Sequence, residues 1–282
     1  MSQNPGDYVD APFKIPLETA TELSKLDEFV DGLNALKKVA EALLDRMRST
    51  VTDSHHTLVA YIIFIKGFKT FQAAQLLCRS GYGSDALSLC ASLFENIIDL
   101  LYIGKAPVRR ALRYEQFEQV EKFYRARKIL KKKRLPRGVR ERYVGYLRSL
   151  APQVAKLLKY FPDDSKGWSQ KSLFHRAKAL GVRAEVDYNE KYWIYCGHKH
   201  TFPMPVSGWV IDLPGGSVDL PYGPDAKGAF SALKESAELF LQLCFITEDV
   251  FSPSLKTEIE GVQAKISAAA EAVRQKYPGL LN

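Results

Sequence analysis

Apolar residues between positions 17 and 48 fall at Leu23, Leu26, Phe29, Val30, Leu33, Leu36, Val39, Ala40, Leu43 and Met47. This alternation of threes and fours predicts one amphipathic helix of about 30 residues. Thr52, Asp53 and Ser54 are capping residues for a second helix, His55 to about Arg79. Its stretch Leu58–Ile65 is apolar on nearly every face and belongs at the centre of the fold. After the glycine-containing link Ser80–Gly83, Ser84 caps a third helix reaching about Ile103. Gly104 to Pro107 end it, and a fourth helix runs from Val108 into the Lys131–Arg134 run. Pro136 starts a fifth helix, to about Tyr160. Ser165–Trp168 lead into a short sixth that ends at Gly181, and Tyr188–Gly197 again reads as helix.

The texture then changes. Residues 201–224 hold five prolines and four glycines, which predicts a long loop. Trp209–Leu213 and Val218–Leu220, around Pro214-Gly215-Gly216, form a candidate small β-hairpin within it. Asp225 opens a long helix to Phe251, Pro253 starts another to Gln275, and Pro278 ends the regular structure. Residues 1–16 read as an extended tail, because Pro5, Pro12 and Pro16 block helix. The expected fold class is all-α: one multi-helix bundle over residues 17–277, with a basic helical tip at 125–142 and one Pro/Gly-rich loop.

Composition sharpens this picture in three ways. Hydrophobic residues make up 46% and charged residues 26% of the 282, enough to build a sizeable core. The longest apolar run, Leu58–Ile65, is eight residues against the roughly 20 of a membrane span, so no membrane partner is expected. The first 16 residues lack a basic region followed by an apolar stretch, so no secretory signal is expected. Four isolated cysteines (Cys78, Cys90, Cys196, Cys244) with no CxxC pair point to a reducing, cytoplasmic setting without structural zinc. The net charge of +8 is unevenly placed. Between Lys105 and Arg148 stand 16 Lys or Arg and four Glu, so the whole basic excess lies in about one sixth of the chain.

The basic segment is the first candidate site. Arg125, Arg127, Lys128, Lys131, Lys132, Lys133, Arg134, Arg137, Arg140 and Arg142 are accompanied by one acid, Glu141. Basic side chains on every face leave no apolar stripe for a core, so the tip is expected to stand in solvent. It would neutralise the phosphates of RNA or another polyanion, or dock an acidic partner, a second copy of the chain included. The second candidate is the group His198, Lys199 and His200, beside Cys196 and Tyr195. Imidazoles serve as general acids and bases near neutrality, and Lys199 could hold a phosphate. With no third and fourth ligand at zinc spacing, neither a metal nor a cofactor is expected. The third is Glu95 with Asp99, one turn apart on an otherwise apolar helix. They form a candidate acid pair or the answer to cations of a neighbouring helix. GxGxxG, GxxxxGK[ST] and GxSxG are all missing, so the familiar nucleotide and hydrolase chemistries have no support.

The stretch from Phe68 through the Ser80–Gly83 turn to Ile103 resembles the central helical hairpin of a bacterial family, the domain of unknown function 5677. The likeness extends over about Leu58 to His200, through Trp168-Ser-Gln-Lys-Ser172 and the tyrosine-rich helix Tyr192–His200. That family shows an Arg-x-x-x-Glu pattern on the second helix. Here Ala91 stands four before Glu95. The chain is also similar to the HEPN class of helical bundles, which implies a ribonuclease, antiviral or toxin effector. Its Arg and His signature is not met around His198 or His200, and Arg48 with His55 meet it only between the first two helices. The expected function is a nucleic-acid-directed effector of HEPN-like type, with the tip guiding RNA to the histidines. The alternative is a non-enzymatic interaction protein.

Overall fold

The computed structural model describes residues 17–51, 54–162, 166–200, 211–212, 218–219, 228–252 and 254–277. The tail 1–16 and all but four residues of the loop 201–224 lie outside the described residues. The chain divides into two compact units. The first takes residues 1–48, 63–97 and 189–282, the second 49–62 and 98–188. Two long helices are shared by both.

The first unit opens on α1 (Leu17–Ser24), a 3-10 stretch Lys25–Phe29, and α2 (Val30–Met47). The helix expected over residues 17–48 is therefore tightened in the middle. Leu26 and Phe29, three apart, are both buried, and three residues per turn puts i and i+3 in line where an α-turn would offset them. Helix α3 (His55–Arg79) enters this unit at Ile63 and helix α4 (Gly83–Gly104) leaves it after Ile97. A π-helical turn, Tyr188–Tyr192, leads into α9 (Trp193–His200). Ile211–Asp212 and Val218–Asp219 pair antiparallel, a ladder too short to make a layer, and the fold is all-α. Helices α10 (Ala229–Phe251) and α11 (Lys256–Lys276) complete the unit, packing on α2 and on each other.

The core of this unit is aromatic. Phe240 of α10 lies 5.6, 5.5 and 4.7 Å from the rings of Phe64, Phe68 and Phe71 of α3. Gly83 is required where it stands. A Cβ there would meet the backbone of Gly228 and Ala229 at 2.4–2.8 Å, so α4 begins at Gly83 against the start of α10, one residue before the expected cap. Glu248 is buried and accepts the Leu255 backbone N–H at 3.0 Å, which ties the end of α10 to the start of α11.

The second unit holds the start of α3, the end of α4 from Ile98, and four further helices: α5 (Pro107–Leu130), α6 (Arg137–Val154), α7 (Leu173–Lys178) and α8 (Val182–Asp187). Ser54 and Thr57 bond each other's backbone N–H at 3.1 Å, the reciprocal cap that fixes the start of α3 at His55. Helices α5 and α6 pack as a hairpin around Val120, Val154 and Phe161, and Tyr124 OH donates to the Phe161 carbonyl at 2.8 Å. The expected helix to Tyr160 stops at Val154. A tighter bond, Leu157 N–H to the Val154 carbonyl at 2.8 Å, turns the chain so that Phe161 reaches the same core.

Helix α4 is long and apolar enough to cross a membrane by length and composition. Its apolar window is 61% buried inside the protein, as a core helix requires. The eight-residue run counted in the sequence missed it because Glu95 and Asp99 interrupt the apolar series without ending the helix.

Candidate functional site

The basic tip joins the end of α5 to the start of α6 through Lys131–Pro136. All ten of its Lys and Arg side chains are exposed. Among the described residues only two pair with an acid: Arg125 with Glu121 at 2.7 Å and Arg137 with Glu141 at 2.8 Å. Arg140 reaches the Lys132 carbonyl at 3.5 Å, which ties the start of α6 to the turn. The tip is not charged all round, because Ala126 is fully buried and keeps one face of the last turns of α5 packed. The cations therefore share the outward faces. Farther along the hairpin the cationic character continues on the α6 side through Arg148 to Lys156 and Lys159, all exposed. The α5 side carries Glu115, Glu118 and Glu121.

In the first unit, α9 docks on α4 through a tyrosine–carboxylate network. Tyr192 OH donates to Glu95 Oε1 at 2.8 Å, and Lys199 Nζ lies 3.9 Å from the same oxygen. Tyr195 OH donates to Glu235 of α10 at 2.6 Å. The rings of Tyr192 and Phe94 lie tilted against each other, 5.4 Å between centres. Burial, and then bonding to Cys196 and Glu95, pushes the Tyr192 phenol well above its ordinary range. Burial and the Glu235 carboxylate do the same to Tyr195. Both phenols therefore remain donors at neutral pH and cannot act as bases. The sequence held a signal for this network. Tyr192, Tyr195 and Lys199 recur at three and four on one helical face, whereas Glu235 stands among the charged residues Lys234 and Glu238 and carries no mark of its own.

His198 belongs to the same unit. It is half-buried, and its Nδ1 is buried with no hydrogen-bond partner among the described residues. Burial lowers its pKa below the ordinary 6.5, with Asp85 pulling the other way. It is therefore a neutral imidazole at pH 7, the form a general base requires. The side chain of His200, the last residue of α9, lies outside what the structure describes. His56, half-buried in the second unit, is lowered by burial as well. A histidine whose folded pKa is depressed binds its proton more tightly when unfolded. Stability is then full above about pH 6.5 and falls as the pH drops through the interval below it. Urea unfolding between pH 7.5 and 5 should show this loss, and His198→Asn with His56→Asn should flatten it. An unchanged pH profile in the double variant would contradict the assignment.

Asp99, one turn after Glu95 on α4, belongs to the second unit and has different partners. Arg176 Nε of α7 lies 2.9 Å from its Oδ1, and Trp168 Nε1 donates to its Oδ2 at 3.3 Å. Arg176 also donates to Ser169 Oγ at 3.1 Å and to the Lys171 carbonyl at 2.9 Å. The Trp168 ring sits edge-on to Tyr114 and Tyr102 at 5.2 and 5.9 Å. Burial, with the Asp99 charge, raises the Tyr114 phenol to about 12. Ser172 caps α7, accepting the His175 backbone N–H at 3.3 Å. The stretch Trp168–Ser172 is thus a fold-closing element, bolted to α4 through Asp99. Arg176 is the residue that sequence reasoning missed here. Among the described residues no three His, Cys, Asp or Glu side chains gather as a metal site.

These features define an all-helical protein with a strongly basic helical hairpin in one unit, and a tyrosine–carboxylate network and a neutral histidine carried by the same short helical segment in the other. The family described as "Family of unknown function (DUF5677)" matches residues 57–212, more than half of the chain, and the chain belongs to that family. No curated protein and no solved structure matches it.

Proposed function

We propose that this protein binds RNA through the α5–α6 hairpin, with the tip 125–142 as the phosphate-binding element. The observation that carries the reading is the exposure of ten cations on one helix–turn–helix tip, only two of them paired with an acid among the described residues. At 1.5 Å per residue the helical arms hold these charges within about 25 Å, so they act on a polyanion as one field. Cations left unpaired inside a folded surface repel one another, and a phosphate backbone relieves that repulsion by releasing its own counterions. If half of the ten contact phosphates, log affinity falls with log salt at a slope of about −4.

The test is a salt titration of RNA and duplex DNA binding by the wild type and by a variant with Lys131, Lys132, Lys133 and Arg134 all changed to Glu. The variant should bind at least roughly a hundredfold more weakly, and its slope should shrink by about one for each phosphate that the tip no longer neutralises. Equal, salt-insensitive binding by both proteins would overturn the reading. No nucleic-acid binding by either would favour an acidic protein partner for the same tip, a second copy included.

The neutral imidazole of His198, its Nδ1 without a partner among the described residues, favours a catalytic extension of this reading, a ribonuclease of HEPN-like, defence or toxin type. In that extension the 2′-oxygen attacks the adjacent phosphorus while the P–O5′ bond breaks, leaving a 2′,3′-cyclic phosphate and a 5′-hydroxyl. His198 or His200 accepts the 2′-hydroxyl proton, the leaving 5′-oxygen takes a proton from the other histidine or from water, and Lys199 holds the phosphate. RNA cleavage abolished by His198→Ala or His200→Ala in a protein that still binds RNA supports it. Cleavage that survives both changes removes the site. We place the chain in the reducing cytoplasm, where Cys78, Cys90 and Cys244 remain thiols. All three are buried, and burial lifts Cys78 to about 12.

A further inference from the structure

At the far end of the same hairpin, within the second unit, lies a cleft of about 710 Å³. The first turns of α5 supply Arg109, Leu112, Arg113 and Gln116, spaced three and four so that they share a face. The segment after α6 supplies Lys156, Leu157, Lys159 and Tyr160. Among the described residues its lining holds four cations and no carboxylate, and none of the four makes an ion pair. The volume falls in the range of about 300–1,000 Å³ that small-molecule sites occupy.

The cations are not loose surface charges. The Arg113 guanidinium donates to the Tyr160 carbonyl and lies 4.9 Å from the centre of the Phe161 ring, while its Nε is buried without a hydrogen-bond partner among the described residues. A half-buried cation with an unspent donor is costly unless an anion answers it. Arg109, Lys156 and Lys159 stand exposed around it. The remaining lining is apolar and flat. Leu112 and Leu157 are half-buried, and Tyr160 is 52% exposed, its ring offered to solvent under the Lys159 ammonium at 4.7 Å. Gln116 adds an amide that can both donate and accept.

We propose that this cleft binds a nucleoside polyphosphate. Four cations match the roughly four negative charges of a triphosphate chain, bound bidentately where Arg provides the fork. The exposed Tyr160 ring, in a lining that also holds Leu112 and Leu157, is a stacking surface for a base, and the Gln116 amide can pair with its edge. A simple inorganic anion would leave that apolar area unused, and an apolar ligand would leave four cations unanswered. The site is separate from the RNA-binding tip and does not depend on it.

Calorimetric titration of the full chain with ATP, inorganic tripolyphosphate and adenosine, without divalent cations, tests this. One ATP should bind per chain, tripolyphosphate more weakly, and adenosine not measurably. Arg109→Ala with Lys156→Ala, both exposed positions, should weaken ATP and tripolyphosphate at least tenfold. Tyr160→Ala keeps the carbonyl that holds Arg113, and it should weaken ATP about fivefold while leaving tripolyphosphate unchanged. The variant with four Glu in the tip should bind ATP as the wild type does, even if RNA binding is lost. Absence of ATP binding below about 1 mM would overturn the proposal. So would equal weakening by the tip variant, which would place the anion at the tip. Equal affinity for ATP and tripolyphosphate, insensitive to Tyr160→Ala, would overturn its nucleoside half.

Discussion

Replacing Phe240 by Ala should remove about 4 kcal/mol of stability, the largest loss expected from any single side chain described above. Phe240 is fully buried and contacts three phenylalanine rings of α3 at centroid distances of 4.7–5.6 Å. Truncation loses the burial of the ring and leaves a cavity walled by Phe64, Phe68 and Phe71. All three sit on a helix that cannot shift without disturbing its other packed residues, so the cavity has little means of closing. Each ring pair removed adds roughly 0.5–1.5 kcal/mol of directional interaction to the area term. Urea unfolding of wild type, Phe240→Leu and Phe240→Ala should show a graded loss, with Leu well under half of the Ala effect. A Phe240→Ala loss below about 1 kcal/mol would mean that this cluster is not the centre of its unit.

Gly83→Ala should cost about 3 kcal/mol, a heavy penalty for adding one methyl group. The added Cβ would fall 2.4 Å from the Ala229 nitrogen, 2.6 Å from the Gly228 carbonyl carbon and 2.8 Å from the Ala229 Cα. All three are backbone atoms, so no rotamer change relieves the overlap. The starts of α4 and α10 must separate, and the buried residues at the start of α10 move with them. For a protein of this size the melting temperature should fall by roughly 6–12 °C. Gly145→Ala is the control. It lies inside α6 with nothing within 4 Å of the added carbon, so it should be neutral or stabilising by up to about 1 kcal/mol. Equal effects at the two positions would refute the close approach.

The long helices were legible because local chemistry marks their ends. Ser54 before His55, Gly81 at φ 82° after Arg79, and Pro107 at the start of α5 each act within a turn or two of where they stand. The tightened turn at Lys25–Phe29 was not legible, because the three-and-four pattern of Leu26 and Phe29 suits an α-helix and a 3-10 helix alike. The same holds for the end of α6, where Val120, a residue of another helix, decides how the chain must turn. For the sites, the charge of the tip was plain because it is a property of consecutive residues. The partners of Glu95 and Asp99 were not, since Tyr192 stands 97 positions from the first and Trp168 69 from the second. Periodicity supplied the face on which Tyr192 and Tyr195 lie, but which acids they meet is a property of topology.

Because residues 98–188 interrupt the first unit in sequence, no contiguous stretch of the chain encodes either unit alone. On the ribosome, α1, α2 and α3 emerge well before α10, which packs on α2 and brings Phe240 to the phenylalanine rings of α3. The apolar faces of the early helices therefore stay uncovered while the basic hairpin is being synthesised. Closing so long a loop carries an entropic cost that must be met before its contacts form. The nascent chain should consequently depend on holding factors over that interval, and a ribosome stalled within residues 98–188 would expose a half-built aromatic core.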